Sequence, residues 1–464
     1  MSKRALALIV LLAASLSSAV DQARGNRPDI AILLTDQQRA DTIGVAGTPG
    51  VTTPTLDRLA REGVRFTHAF CPTPQCSPAR AALLTGRFPH RTGVMGNVAG
   101  SEDVPAGQSP PLDPAIPSLG RRFANAGYEA AYFGKWHLGG TAADHGFDVD
   151  NADRTPDKTL ADQVVTFLDR KQPNDKRRTP RLIVVSWINP HDIYHIRRDE
   201  QRDFPIHPQV SAPESLVDDL ADKPLPQRHY LAEDQGKPLR EYTVTDWRRY
   251  KSFYHHLTEQ VDEQIGKVVE ALRRNNAQTL IVFSSDHGDL GGAHGLPFKG
   301  PAMYDELIRV PLTITWPGHI KPAVRNELVS LIDILPTLCD LADIDRPDGI
   351  DGRSLRPLIT QGASSDPSWR EAVYGEYYGK QNWRVPIRMV RTGRWKYVRY
   401  LDDGEELYDL QFDPHELHNL AGHERFVHRK QKLVTQLDRW IQRTGDPFAT
   451  LTTTDRNGHV RSGP

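Results

Sequence analysis

DIAILLTD at residues 29–36, RLIVVSWINPH at 181–191 and TLIVFSSDHG at 279–288 are three continuously apolar runs rich in β-branched residues. Strands with one wet face alternate apolar and polar residues. An unbroken apolar run is the pattern of a parallel strand covered on both faces. Amphipathic helical stretches lie between the runs. TPTLDRLAREG (residues 53–63) ends in a glycine, and Phe253, Leu257, Val261, Ile265 and Val268 mark one face of a stretch spanning residues 250–274. Strands alternating with helices predict an α/β domain. Each run also ends in polar chemistry: Asp36, His191, and Asp286 followed by His287. Open α/β sheets bind ligands beyond the carboxyl ends of their strands, so one sheet end is expected to gather two acids and two imidazoles.

Outward from that core the texture varies. Residues 101–118 hold a cluster of prolines and read as a loop, and residues 200–240 are polar and weakly periodic. An insertion of the latter length is expected to be solvated or to touch a ligand. After about residue 365 come short strand-like runs (EAVYGEYY, RMVRTG, WKYVRYL, EELYDL) punctuated by turns such as Asp403-Gly404. They predict an antiparallel sheet. A helix over residues 424–443, with Phe426, Leu433, Leu437 and Trp440 on one face, would pack on it. The expected division is a main domain at 25–364 and a smaller antiparallel-sheet-plus-helix subdomain at 365–464.

Composition excludes several classes. A chain of 464 residues, 38% hydrophobic and 25% charged, is too apolar for disorder. Its 58 basic and 59 acidic residues leave a formal charge of −1, so no basic field advertises a nucleic-acid partner. Three cysteines cannot build a disulfide scaffold, and the odd number leaves at least one unpaired. Residues 1–24 read as a signal peptide: Lys3 and Arg4, the apolar run ALALIVLLAASL, then Ser17-Ser18-Ala19 with cleavage expected after Ala19. That run is short for a bilayer span. The expectation is a periplasmic or secreted protein with no stable membrane insertion after cleavage.

The segment CPTPQCSPARAALLTGRFPHRTG covers residues 71–93. Cys76 stands where a helix would start, with Ser77 and Pro78 suited to its first positions and Gly86 to its end. Arg80 follows at i+4 on the same face. A helix N-terminus and a guanidinium beside one thiol suit an oxyanion next to a nucleophile. A helix start carrying a buried cysteine reads equally well from spacing alone.

CSPAR followed by LTGR resembles the signature of type I sulfatases, the formylglycine-dependent members of the alkaline phosphatase-like superfamily. GKWHLGG at residues 134–140 resembles a second block of that family. The likeness continues through Asp36, Asn189-Pro190-His191, Ser285-Asp286-His287-Gly288, Phe298-Lys299-Gly300 and a late LYDLQFDPHELHNLA. The resemblance implies a three-layer α/β/α domain with a smaller C-terminal subdomain, and hydrolysis of sulfate esters, sulfated carbohydrates foremost. It implies oxidation of Cys76 to formylglycine by a maturation enzyme. One hydroxyl of the hydrated aldehyde would attack sulfur and expel the alcohol; the second would release inorganic sulfate. It also implies a divalent cation, calcium ahead of magnesium, held by Asp36, Asp286, His287 and the modified Cys76. Gln37 stands where many relatives have a second acid, and its carbonyl could still ligate. Arg80, Lys135, His137, His191 and Lys299 fall at the family's catalytic and sulfate-contacting positions. Lys135 and His137, two apart, would face the same way in an extended segment. Either His191 or Lys299 would protonate the leaving group. His294 reads as a loop cap ahead of a residue lining the pocket, and His195 as a contact beyond the sulfate or part of a solvated insertion. With position 76 modified, Cys71 and Cys339 remain, expected to stay unpaired.

Two other readings compete. A phosphonate monoester or phosphodiester hydrolase would use the same nucleophile. A non-catalytic exported binding protein would carry a degenerate site, against which the presence of Cys76, Arg80, Lys135, His137 and Lys299 argues.

Overall fold

The protein is described by a computed structural model over residues 27–100, 104–153, 156–170, 178–360 and 368–461. The expected signal peptide lies outside those residues. Among the described residues no helix is long and apolar enough to cross a membrane.

The strands in chain order are β1 (Ile30–Asp36), β2 (Val64–Phe66), β3 (Ala69–Phe70), β4 (Glu129–Gly134), β5 (Val149–Ala152), β6 (Arg181–Pro190) and β7 (Leu280–Ser285). They continue as β8 (Leu312–Thr315), β9 (Ala323–Arg325), β10 (Val329–Ser330), β11 (Ala372–Lys380), β12 (Trp383–Thr392), β13 (Trp395–Tyr400) and β14 (Gly404–Asp409). The main sheet has eight strands in the order β5-β4-β6-β1-β7-β8-β2-β9. The three runs that predict parallel strands are β1, β6 and β7, side by side at its centre. β1 pairs in parallel with both neighbours, and only β8 runs antiparallel to the strands beside it.

Alternation along β1 shows why the apolar runs are unbroken. Ile30, Ile32 and Leu34 enter one core, while Ala31 and Leu33 enter another on the opposite face. The second core is roofed by the helices Pro54–Glu62, Asp157–Asp169 and Val244–Asn275, through residues such as Leu56, Leu160, Val164, Val261 and Ile265. The first is closed by the helices Leu119–Asn125 and Ile334–Leu341 and by side chains of the later sheet, including Ile387, Met389 and Tyr400. This is the expected three-layer α/β/α arrangement.

β11 to β14 form the expected antiparallel sheet, with the helix Val427–Thr444 packed on it through Leu433, Leu437 and Trp440. The sheet does not stand apart. Its side chains enter the main core on one face and a third core on the other, where Trp440 meets Phe88 edge-on at 4.9 Å. The polar stretch 200–240 is also more ordered than its periodicity implies. It carries the helix Leu225–Glu233, whose Gln227 and Tyr230 are fully buried and bonded to Glu406 and to the Pro297 carbonyl.

Register places the polar strand ends together. Asp36 on β1 lies opposite Pro190 on β6, just before His191, and Thr35 lies opposite Ser285 on β7, just before Asp286.

The two parts of the chain are also joined by charge. Glu376 on β11 accepts the His90 backbone amide at 3.2 Å and its ring Nδ1 at 2.6 Å, while the other ring nitrogen faces the Thr444 carbonyl at 3.3 Å. Burial alone would lower the His90 pKa, but the Glu376 carboxylate outweighs it and the value rises above 6.5. A histidine raised on folding contributes stability that is complete below its unfolded pKa and lost as pH climbs through the folded one. The gap in Tm between wild type and Glu376→Gln is therefore expected to be widest just below pH 6.5 and to narrow above it. Thermal melts across that range check this, and a gap independent of pH would contradict the pairing.

Candidate active site

The helix Cys76–Thr85 is buried at all ten positions and ends at Gly86, whose φ of +66° is the left-handed cap a glycine supplies. Cys76 is its first residue, and the preceding Gln75 is anchored by a 2.7 Å bond from its side-chain amide to the Gly379 carbonyl of β11. Cys76 Sγ lies 2.9 Å from Lys299 Nζ, 3.3 Å from His287 Nε2, 3.6 Å from Lys135 Nζ and 3.7 Å from Asp36 Oδ1. Burial and the Asp36 charge push its pKa up, but Lys135, Lys299 and His287 prevail and hold it well below that of a free thiol. Burial instead pushes Cys71 above the usual thiol range. Cys71 and Cys339 are both free and buried, as expected.

Arg80, at the i+4 position from Cys76, is bonded on several sides. Its guanidinium is spent on the protein: Nη2 donates to Asp36 Oδ2 and Nε to Asp286 Oδ2, each at 2.9 Å, and Nη1 to the Lys135 carbonyl and Ser186 Oγ. It clamps the ends of β1 and β7 and fixes two carboxylates that would otherwise repel. Lys135 Nζ adds a 2.7 Å contact to Asp36. Burial would raise the Asp36 pKa, yet Lys135, His191, Lys299 and Arg80 hold it well below the carboxylate range. Asp286 goes the other way, pushed up to about 6 by burial and by the Asp36 charge.

Donor atoms of Asp36, Cys76, Asp286 and His287 all lie within 4.8 Å of one another, and all four residues are buried. This cluster could hold a metal ion. His287 Nδ1 donates to the Gly288 carbonyl at 2.8 Å, which turns Nε2 toward the cluster. Gln37 adds a second observation. Its side-chain amide donates to Asp289 at 2.7 Å, while its Oε1 is buried with no protein partner. An orphaned carbonyl oxygen in a carboxylate site suits a hard cation.

The remaining expected residues are placed as follows. Lys299 is 5% exposed; burial opposes its charge, but Cys76, Asp36 and Asp286 raise its pKa, so it remains an ammonium. His191 begins the turn after β6, its ring 4.9 Å from that of Tyr194, and burial with Lys135 and Lys299 lowers its pKa. The expectation for Lys135 and His137 needs correction. β4 ends at Gly134, and His137 has a φ of +56°, so the segment turns and the two side chains are not related by a strand repeat. The turn is held by Trp136, whose buried indole bonds the Gly139 carbonyl, and by Asp153, which accepts the Trp136 amide at 2.8 Å. His137 accepts Ser77 Oγ at its carbonyl and keeps a buried Nδ1 with no protein partner. His294 is structural, stacked on Tyr304 at 3.7 Å and bonded to Asp218.

Three contributors escaped the sequence reading. Asp289 fixes Gln37 and Tyr250, and Asp157 receives the Ile188 and Asn189 amides that shape the end of β6. Lys380, from β11, bonds the Lys299 carbonyl and Gln235. Only proximity to the Asp286 motif could have flagged Asp289; nothing local marks Asp157 or Lys380.

A family profile described as Sulfatase matches residues 28–344, and one described as N-sulphoglucosamine sulphohydrolase, C-terminal, matches residues 292–443. The chain is 31% identical to a Delta 4,5-hexuronate-2-O-sulfatase of Bacteroides thetaiotaomicron, covering 94% of this chain and 93% of that one. It is 32% identical to an Ulvan-active sulfatase of Formosa agariphila, over 91% and 82%. The crystal structure of a putative sulfatase from Bacteroides thetaiotaomicron superposes with a TM-score of 0.82 at 28% identity, covering 93% and 96%. A phosphonate monoester hydrolase of Agrobacterium radiobacter shares the fold, with a TM-score of 0.74 at 23% identity, over 94% and 100%.

Removing the Arg80 clamp leaves two buried carboxylates facing each other. Arg80→Gln is expected to cost the metal-free protein about 3–5 kcal/mol, measured by denaturant unfolding in chelator. A loss below about 1 kcal/mol would show that the pair does not depend on Arg80.

Proposed function

Because the chain belongs to the sulfatase family and is a sulfuric ester hydrolase, we propose that it removes sulfate from sulfated carbohydrates using a formylglycine hydrate formed at Cys76. The observation that carries this reading is the position of Cys76 at a buried helix start, with two ammonium groups and an arginine-clamped pair of carboxylates around its sulfur. Those ammonium groups match the charge of a sulfate group, and the carboxylates match a cation behind it. Asp36, Gln37, Asp286, His287 and position 76 would hold that cation, calcium before magnesium. Bound there, it would supply positive charge that favours a deprotonated oxygen nucleophile.

The protein's own groups account for the remainder. Lys299 and Lys135 bring fixed positive charge to the sulfate oxygens, where charge must be balanced during transfer. His191, held neutral by burial and those two ammonium groups, gains basicity when an anionic ester enters and offsets them. This makes it the residue that exchanges a proton with the leaving oxygen. His137, whose free Nδ1 is buried near the helix start, orients the hydrate. Two relatives of about the same length act, by their names, on ulvan and on a hexuronate 2-O-sulfate. Their likeness over nearly the whole chain supports a sulfated glycan as substrate. Export to the periplasm or beyond, by the signal at residues 1–24, suits a polymer outside the cell, and conversion of Cys76 to formylglycine calls for a maturation enzyme.

Cys76→Ala is expected to abolish turnover of sulfated disaccharides, while the residue-76 peptide of active wild type shows the formylglycine mass. An unmodified cysteine in fully active protein would overturn the nucleophile. Cleavage of aryl or choline sulfates alone would overturn the glycan substrate, and faster cleavage of a matched aryl phosphonate would favour a phosphonate hydrolase. Chelation should remove activity and lower Tm, with calcium restoring both. Gln37→Ala should need more calcium for half restoration; an unchanged requirement would remove Gln37 from the ligand set.

A further inference from the structure

A cleft of about 370 Å³ opens on the end of the turn His191–Arg197, whose first residue is His191 of the site, and on the start of the helix Val244–Asn275. Arg197, Arg198, Arg202 and Arg249 line it, with Asp246 as the one acid on its wall and the Tyr242 ring as its aromatic face. Asp246 is taken by Arg249 at 3.0 Å. Among the described residues Arg197 and Arg198 have no carboxylate within ion-pair distance, and Arg249 Nε is buried without a partner. Arg202 pairs with Asp199 at 3.3 Å, so the charge that the fold leaves uncompensated is that of Arg197 and Arg198.

The turn beneath the cleft is packed. Ile193 and Ile196 of the same turn are buried against Trp247, Tyr250 and Phe253. It is also joined to the reacting centre by side chains in contact. The Arg197 guanidinium lies 5.8 Å from the Phe298 ring, on which Tyr194 stacks at 4.0 Å. Phe298 directly precedes Lys299, and Tyr194 meets His191. Arg197 thus stands between the wall of the catalytic pocket and Tyr242.

We propose that this cleft binds a second anionic sugar of the same oligosaccharide whose sulfate ester enters the catalytic pocket. The inference rests on the glycan reading above and extends it from a single sugar to a chain. Guanidinium groups pair with sulfate and carboxylate oxygens in two-pronged fashion, and an aromatic face suits the apolar side of a pyranose. Neutral or aryl substrates have nothing to place there.

The test uses Arg198→Glu/Arg202→Glu, two exposed positions whose reversal leaves the packed face intact. In a Cys76→Ala background, calorimetry compares heparin- and chondroitin sulfate-derived hexasaccharides with the corresponding disaccharides. Hexasaccharide affinity is expected to fall on the order of tenfold or more, disaccharide affinity to stay the same, and the difference to shrink at high salt. With Cys76 restored, kcat/KM for an aryl sulfate should be unchanged. Equal effects on hexasaccharide and disaccharide, or none on either, would overturn the proposal. If wild type cleaves sulfated saccharides yet the double variant is neutral, the cleft alone fails. If wild type cleaves aryl sulfate and neither cleaves nor binds any saccharide, the glycan reading fails and takes the cleft with it.

Discussion

One guanidinium joins the parts on which everything else depends. Arg80 reaches from the buried helix to carboxylates at the ends of two central strands, and its remaining donors go to the Lys135 carbonyl and Ser186. Ionised carboxylates brought this close in a dry interior would drive one another to neutrality. The bond network prevents that for Asp36 and leaves Asp286 intermediate. The same residue therefore orders the sheet end, sets the charge of the cluster and fixes where Cys76 sits. Lys135 and Lys299 then bring two further cations, each of which faces anionic groups on more than one element.

The helix that carries Arg80 is held by two cores at once. Ala81, Leu83 and Leu84 pack with the main sheet, while Ala82 enters the core built by β11–β14 and Trp440. Small side chains on successive positions permit this close double contact. A glycine cap then turns the chain sharply into the Phe88–His90 segment that meets the later sheet.

The central layer was legible because period and burial agree: short, β-branched, unbroken apolar runs suit strands covered on both sides, and β1, β6 and β7 are such strands. The C-terminal sheet was legible from alternation and turn chemistry. β2, β4, β5, β8 and β9 carried weaker signals, being short or at the sheet margin, and their places are set by tertiary pairing. At the site, motifs identified the residues but not their partners. Spacing put Arg80 beside Cys76, yet only the fold shows that its charge is consumed by carboxylates. Extended geometry related Lys135 to His137, and a buried tryptophan broke that relation. Asp157, Asp289 and Lys380 were invisible because each acts through chain segments brought together only by folding.

The carbonyl of Gly379 that receives Gln75, and the Glu376 carboxylate that receives His90, lie some three hundred residues downstream of their partners. Trp440 lies farther still. A ribosome delivers these pieces in order, so the segment around position 76 leaves it long before the walls that enclose it exist. At 5–20 residues per second, the roughly 360 residues from Cys76 to Trp440 take about 20–70 s to make. In the finished molecule the residue-76 side chain is 1% exposed. Any chemistry performed on it by another protein has a clock, started by its own emergence and stopped by the arrival of the last strand and helix.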